Sequence, residues 1–309
     1  MKKILIYASF VMILLGMQIG RRNNDLTFQV AGTSDLKNQI LAYIDENEQA
    51  PIEPRLDRIW HFVPGLAGIE FDFELSYQNM LSNGYFDKNL MVANTTPFQN
   101  ETSELRAHRI YRGNEKSPYV SLFINVAWGG EELLEMLDIL DEMNIRASIF
   151  FEGKYAMNNP DLVQTAFTRG HIIGNHSYSH PAGWLNLSYD GFTHEIARTN
   201  EILSGIIGEE IIWFAPPGGA FNDTMVQASF DQGMYTLMWT TDSIDWRGER
   251  ASILTDRVLS RIVPGGLILT HPKPETVKAL PKIIEGIRNL GLEFRTIDEI
   301  VYGLRNFEQ

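Results

Sequence analysis

From about residue 118 onward, short apolar runs alternate with longer amphipathic ones. Val120–Ala127 is a strand candidate, and the apolar positions of Glu131–Met143 recur at helical spacing. Arg146–Phe151 reads as strand, Asp161–Thr168 as helix, His171–Asn175 as strand and Tyr189–Ser204 as helix. Ile211–Ala215, Tyr235–Trp239, Gly266–Thr270 and Glu293–Thr296 bring the strand candidates to seven. Further helices are expected near Met225–Asp231, Ser252–Arg261 and Thr276–Leu290. This rhythm predicts parallel strands joined by crossover helices. Its spacing favours a barrel-like α/β fold, with an open doubly wound sheet as the alternative.

The front of the chain breaks the rhythm. Ser34–Glu46 predicts a helix with Thr33 or Ser34 as its cap, Ile69–Leu75 is strand-like, and Tyr77–Leu81 begins a short helix. A polar stretch with few hydrophobic anchors, Thr95–Glu115, then leads into the α/β part. The expected organisation is an N-terminal segment over residues 1–23, a small α+β accessory domain and linker over 24–117, and the main domain over 118–309. No repeat or heptad array interrupts it.

Length and composition narrow the class. A chain of 309 residues, 44% hydrophobic, can bury a sizeable core. Its net charge of −13 disfavours nucleic acid and anionic bilayers as partners. The absence of cysteine excludes disulfides and thiolate chemistry. Met1-Lys2-Lys3 precedes an apolar-biased run from Ile4 to Ile19, and Arg21-Arg22 follows it. That order predicts a secretory signal or an uncleaved membrane anchor, hence a protein outside the cytoplasmic membrane. A buried N-terminal helix is the plainer alternative. Nothing in the sequence specifies an oligomeric state.

The conspicuous polar residues fall just after strand candidates, where the loops of a barrel converge on its mouth. His176 and His180 are four residues apart, and neutral imidazoles at that spacing suit zinc or another transition metal. A hydrogen-bonded pair of loop histidines explains the spacing equally well. His271 ends the apolar run Gly265–Thr270, which places a titratable ring at the mouth for acid–base work, and Asp242 or Asp245 can orient it. A packing or capping histidine is the bland alternative. Pro216-Pro217-Gly218-Gly219 restricts one loop and then relaxes it, giving a preorganised sugar-binding edge or simply a turn. Trp246 either walls the pocket or packs.

Together these segments resemble the polysaccharide deacetylase family, also called NodB-homology or carbohydrate esterase family 4. The resemblance spans about residues 118–300 and rests on His176-Ser177-Tyr178-Ser179-His180, Pro216–Gly219, Asp242–Trp246 and the apolar strand leading to His271. It implies a distorted (β/α) barrel and a metal-dependent removal of acetyl groups from N-acetylated sugars. It further implies two histidines and an aspartate on the metal, a neighbouring aspartate as base, and a later histidine as acid. The family's Thr-Phe-Asp-Asp-Gly corresponds here to Asn125-Val126-Ala127-Trp128-Gly129. Ala127 thus takes the base position and Trp128 the ligand position, and neither side chain supplies a carboxylate. Ala215 likewise stands where the family has an arginine beside the base. The Asn-Val-Ala-Trp-Gly run is similar to that of a sporulation-associated branch of the family, which implies a cell-wall or spore-envelope setting.

Three functions follow from this pattern. The first is a glycan-binding protein without standard deacetylase activity, its cleft formed by the histidines, Asp242, Asp245, Trp128, Pro217 and Trp246. The second is a metal-dependent hydrolase with a remodelled site, in which His176 and His180 hold the metal, Asp242 or Asp245 replaces the missing carboxylate, and His271 is the acid. The third is a structural or protein-interaction scaffold. Trp128 discriminates the first from the second, because it can fill the metal side of the pocket.

Overall fold

A computed structural model describes residues 26–99 and 106–305. Its first helix, α1 (Leu26–Asn47), overruns the expected start, so Thr33 and Ser34 lie within the helix rather than at its first residue. The internal Gly32 costs roughly 1 kcal/mol relative to Ala, a preference that does not stop a helix. The N-terminal segment of residues 1–23 lies outside the described residues. None of the described helices is long and apolar enough to cross a membrane.

The described chain divides into two compact units, one of residues 26–46 and 72–92, the other of residues 47–71 and 93–305 outside the gap at 100–105. In the larger, β1 (Arg55–Asp57) pairs antiparallel with β2 (His61–Val63). The expected strand Ile69–Leu75 ends early there, as β3 (Gly68–Phe71), because Asp72 caps a helix at that point. That helix, α2 (Phe73–Met80), belongs to the smaller unit, and the Asp72 carboxylate accepts from Leu75 N at 2.8 Å. Within the smaller unit Ser76 Oγ donates to Asp72 O and accepts from Val92 N, and Leu36, Ile40, Met80 and Met91 are buried. β4 (Ala93–Thr96) returns to the larger unit and pairs antiparallel with β3.

The rest of the larger unit is the expected α/β alternation. In chain order it comprises β5 (Tyr119–Val126), α3 (Gly130–Glu142), β6 (Ser148–Phe151), α4 (Gly153–Asn158), α5 (Pro160–Thr168), β7 (Ile172–Asn175), α6 (Tyr189–Ile207), β8 (Trp213–Phe214) and α7 (Asp223–Phe230). It continues with β9 (Tyr235–Thr236), β10 (Thr241–Asp242), α8 (Ala251–Leu259), β11 (Leu267–Thr270), α9 (Pro274–Asn289), β12 (Glu293–Phe294) and α10 (Ile297–Val301). The strands form one parallel sheet in the order β10-β11-β5-β6-β7-β8-β9, with β12 also on β5. The sheet is curled into a half-barrel. It therefore realises the barrel-like alternative, with β10, α4 and α10 as elements the sequence pattern did not announce.

Alternation along β5 sorts its side chains between two layers. Val120, Leu122, Ile124 and Val126 pack outward with Leu133, Met136 and Leu137 of α3 and with Ile283 and Ile284 of α9. Tyr119 and Phe123 point inward with Phe150, Trp213, Leu267 and Leu269. Each phenyl buried this way contributes roughly 1.5–3 kcal/mol. All eight positions of β5 are buried, as a central strand covered on both faces requires. The stretch Thr95–Glu115 contributes to this unit as well. Ile110 bridges to Leu237 beyond β9, and Arg112 bridges to Gly266 just before β11. One short segment thus occupies backbone groups at the β9 edge that an open sheet leaves unpaired.

Candidate functional site

Loops at the C-terminal ends of β5, β7, β8, β9, β10 and β11 build one cleft of about 320 Å³. β5 runs into the first, where Ala127 and Trp128 face the cleft. Gly129 follows with φ 78°, and a Cβ there would come 2.4 Å from Pro272 O. Only glycine fits that turn, so the backbone corner is fixed by packing. Trp128 stays 43% exposed and lies parallel on the His271 ring, with centroids 5.8 Å apart and 9° between planes. Lys273 Nζ sits 5.4 Å from the Trp128 ring centre.

The second loop leaves β7 and carries the two histidines. Ser177 and His180 both take positive φ, and Ser177 Oγ accepts from His180 N at 3.1 Å. Glu195 of α6 holds the turn by accepting from Tyr178 N, Ser179 N and Ser179 Oγ. These bonds bring the His176 and His180 rings to 5.2 Å between centroids. His176 Nδ1 donates to Ala215 O at 2.7 Å, which leaves Nε2 as the lone-pair nitrogen. Burial, and then the neighbouring His180, pull the His176 pKa down to about 3, so the ring is neutral.

The third loop follows β8. Gly218 lines the cleft, while Pro217 sits in an adjoining groove that shares His180 and Gly218 with it. Gly219, at φ 66°, lets the Trp239 indole approach so closely that a Cβ would meet it at 2.6 Å. Trp239 lines the cleft, and sequence reasoning missed it.

The fourth loop leaves β10. Asp242 faces the cleft and accepts from Ile244 N at 2.7 Å; burial raises its carboxyl above the usual range despite that bond. Ile244 takes φ 55°, a costly conformation for a β-branched residue, and the chain then turns Asp245 inward and Trp246 outward. Asp245 is buried and accepts from His271 Nδ1 at 2.7 Å, His271 N at 2.7 Å and Thr276 Oγ1 at 2.8 Å. Burial alone would raise its pKa, but the bonds from His271 and Thr276 outweigh it and hold the carboxyl low. Both oxygens accept from His271 or Thr276, so Asp245 positions the His271 ring. His271 keeps Nε2 for the cleft. Trp246 is 53% exposed at its rim.

The structure therefore brings His176, His180, Asp242, Trp128, Trp246 and His271 to one cleft, with Asp245 behind it and Pro217 beside it. It also places Asn125 there, the first residue of the Asn125–Gly129 run, to which the sequence reading gave no role. The signal was available, since Asn125 is an amide in an otherwise apolar strand end. Among the described residues no group of three or more His, Cys, Asp or Glu is arranged to hold a metal ion. The site offers two adjacent imidazoles where tetrahedral zinc needs three or four protein donors, so the residues present do not fit a resident zinc.

Comparison with known proteins decides the lineage. The uncharacterised protein YlxY of Bacillus subtilis is 36% identical over 92% of this chain and 88% of its own length. Residues 112–237 match the family described as polysaccharide deacetylase. The chain belongs to the polysaccharide deacetylase family. Among solved members, BA3943 from Bacillus anthracis, described as a carbohydrate esterase family 4 pseudoenzyme, superposes with a TM-score of 0.79 at 33% identity, covering 86% of this chain and 94% of that one. A mutant of BA3943 is described as having restored enzymatic activity. A peptidoglycan-N-acetylglucosamine deacetylase of Bacillus cereus is 33% identical over 53% of this chain and 61% of its own length.

Proposed function

We propose that this chain is a family member that binds cell-wall or spore-envelope glycan without standard deacetylase activity. The observation that carries the reading is the first loop, where a methyl and an indole, Ala127 and Trp128, stand at the family's two carboxylate positions. Trp128 adds an exposed ring face beside polar groups, the mixture that sugar binding uses. Similarity to a protein described as a pseudoenzyme supports the same reading. A wall ligand implies a position outside the cytoplasmic membrane, which agrees with the charged and apolar N-terminal segment.

The test is acetate release and binding measured together, with purified protein on peptidoglycan and N-acetylated glucosamine oligomers. Binding without acetate release is the expected result. Release above that of a His176→Ala variant overturns it and restores the second reading, a metal-dependent hydrolase. One observation favours that second reading: His176 is neutral, with Nε2 available beside His180. Asp245 is engaged by His271, which leaves Asp242 as the cleft carboxylate that this reading would use.

A further inference from the structure

The sheet order β10-β11-β5 puts three loops side by side along one edge of the cleft mouth. They carry Trp246 with Arg247, His271 with Lys273, and Ala127 with Trp128. Trp128 and Trp246 both line the cleft and are both exposed, and each has a cation against its ring. Lys273 Nζ lies 5.4 Å from the Trp128 ring centre, and the Arg247 guanidinium lies 5.1 Å from that of Trp246. Nearby carboxylates are engaged elsewhere: Asp245 by His271, Glu249 by Arg257 and Glu275 by Lys278. Lys273 and Arg247 form no ion pair with a described residue. Two unneutralised cations at the cleft mouth are a local reversal in a chain of net charge −13, which otherwise repels acidic polymers. A neutral sugar uses the indole faces and gains little from a cation beside them. An acid group projecting from the sugar gains a charge-assisted hydrogen bond there. Asp242 faces the inside of the cleft, so like-charge repulsion disfavours an acid group in the interior and leaves the rim as its place.

We infer that the Trp128–Lys273 and Trp246–Arg247 pairs form a rim subsite that selects an acidic glycan, the indoles taking sugar faces and the cations a carboxylate or phosphate on the sugar. The inference rests on the glycan-binding reading and names the ligand class, with Lys273 and Arg247 as the specificity-determining residues. No bond is broken.

Calorimetric titration with three oligomers tests this: the neutral N-acetylglucosamine tetramer, the alternating N-acetylglucosamine–glucuronic acid tetramer, and a phosphodiester-linked N-acetylglucosamine oligomer. The native chain is expected to bind one of the acidic oligomers about tenfold tighter than the neutral one at low salt, the combined worth of two exposed ion pairs. Which acidic oligomer wins assigns the group as carboxylate or phosphate. That preference should shrink at 0.5 M salt, where exposed charges are screened. Lys273→Ala/Arg247→Ala is expected to remove the preference while holding the neutral tetramer within about twofold and keeping the native Tm. Lys273→Arg keeps the charge and should keep the preference. Equal binding of neutral and acidic oligomers by the native chain overturns this inference alone, as does a preference that survives in the double variant. If the native chain binds none of the three, the glycan-binding reading itself falls and takes this inference with it.

Discussion

The two sides of the cleft differ in the chemistry that their side chains offer. At the His176–His180 turn, backbone and chemistry agree: Ser177, Glu195 and Ala215 O fix the loop, and burial keeps His176 neutral. At the Asn125–Gly129 corner the backbone is fixed, but no titratable side chain is present. Gly129 makes the turn that packs on Pro272, and the side chains in front of it are a methyl and an indole. Backbone geometry at a strand end is set by packing from below, whereas the chemistry is set by side chains facing an open cleft. The second can change without the first.

If that separation is real, chemistry can be returned to the corner without rebuilding it. The double variant Ala127→Asp/Trp128→Asp, loaded with zinc, is expected to release acetate from N-acetylated glucosamine oligomers about 100-fold or more above the native chain. General-base catalysis is worth at least that much, and the added carboxylates complete a donor set. Adding His176→Ala to the double variant should abolish the gain. A folded, zinc-bound double variant that stays at background would show that the two sides differ by more than these side chains.

The histidine side is sharpened by pH. His176 has a folded pKa of about 3 against an ordinary value near 6.5. Below pH 6.5 the unfolded chain takes up a proton that the native chain refuses. The stability that neutral His176 represents is therefore intact above pH 6.5 and is lost as pH falls toward 3. The slope is about 1.4 kcal/mol per pH unit, or about 2 kcal/mol by pH 5. Urea denaturation at pH 7.5 and pH 5 measures this, and His176→Gln should remove that share of the slope. An unchanged slope in the variant assigns the acid sensitivity to other groups, with buried His171, whose pKa is lowered to about 4, first among them.

Asp245 gives an effect of similar size. Asp245→Asn leaves one amide where a carboxylate accepted three bonds from His271 and Thr276, and an amide N–H would face the His271 donors. A loss of roughly 1.5–3 kcal/mol is expected in chemical denaturation. A change below about 0.5 kcal/mol would mean that the His271 ring is held by something other than this carboxylate.

Most of the architecture was legible because burial on both faces forces long apolar runs. Tyr119–Val126, Ser148–Phe151 and Leu267–Thr270 fall within two residues of their expected bounds for that reason. Thr241–Asp242 was not legible, since two polar residues carry no periodicity and pair only because β11 is already there. Helix α1 was misread at its start because Gly32-Thr33-Ser34 is a weak stop signal. In the site, residues with charge or a ring, such as His176, Asp242 and Trp128, stood out by type. Asn125 did not, because its place on the cleft depends on neighbours from several strands. The role of Asp245 was half legible. The sequence put it near His271, but only the geometry shows both oxygens taken.

The smallest effect is the one that weighs directly on the altered corner. Trp128 is 43% exposed and touches His271 and Lys273 by ring contacts rather than by a buried seam. Trp128→Ala should accordingly change stability by no more than about 0.5 kcal/mol, the usual range for surface substitutions. In glycan binding the same change removes a flat apolar face, worth roughly 0.5–1.5 kcal/mol, or about two- to tenfold in Kd. Trp128→Phe keeps a ring and should keep most of the affinity. Thermal unfolding and titration with the N-acetylated tetramer on the same samples separate these effects. Affinity lost without stability makes the indole a ligand-facing replacement for a carboxylate. Stability lost without affinity makes it a cover for His271, and the altered corner would then serve the fold rather than a ligand.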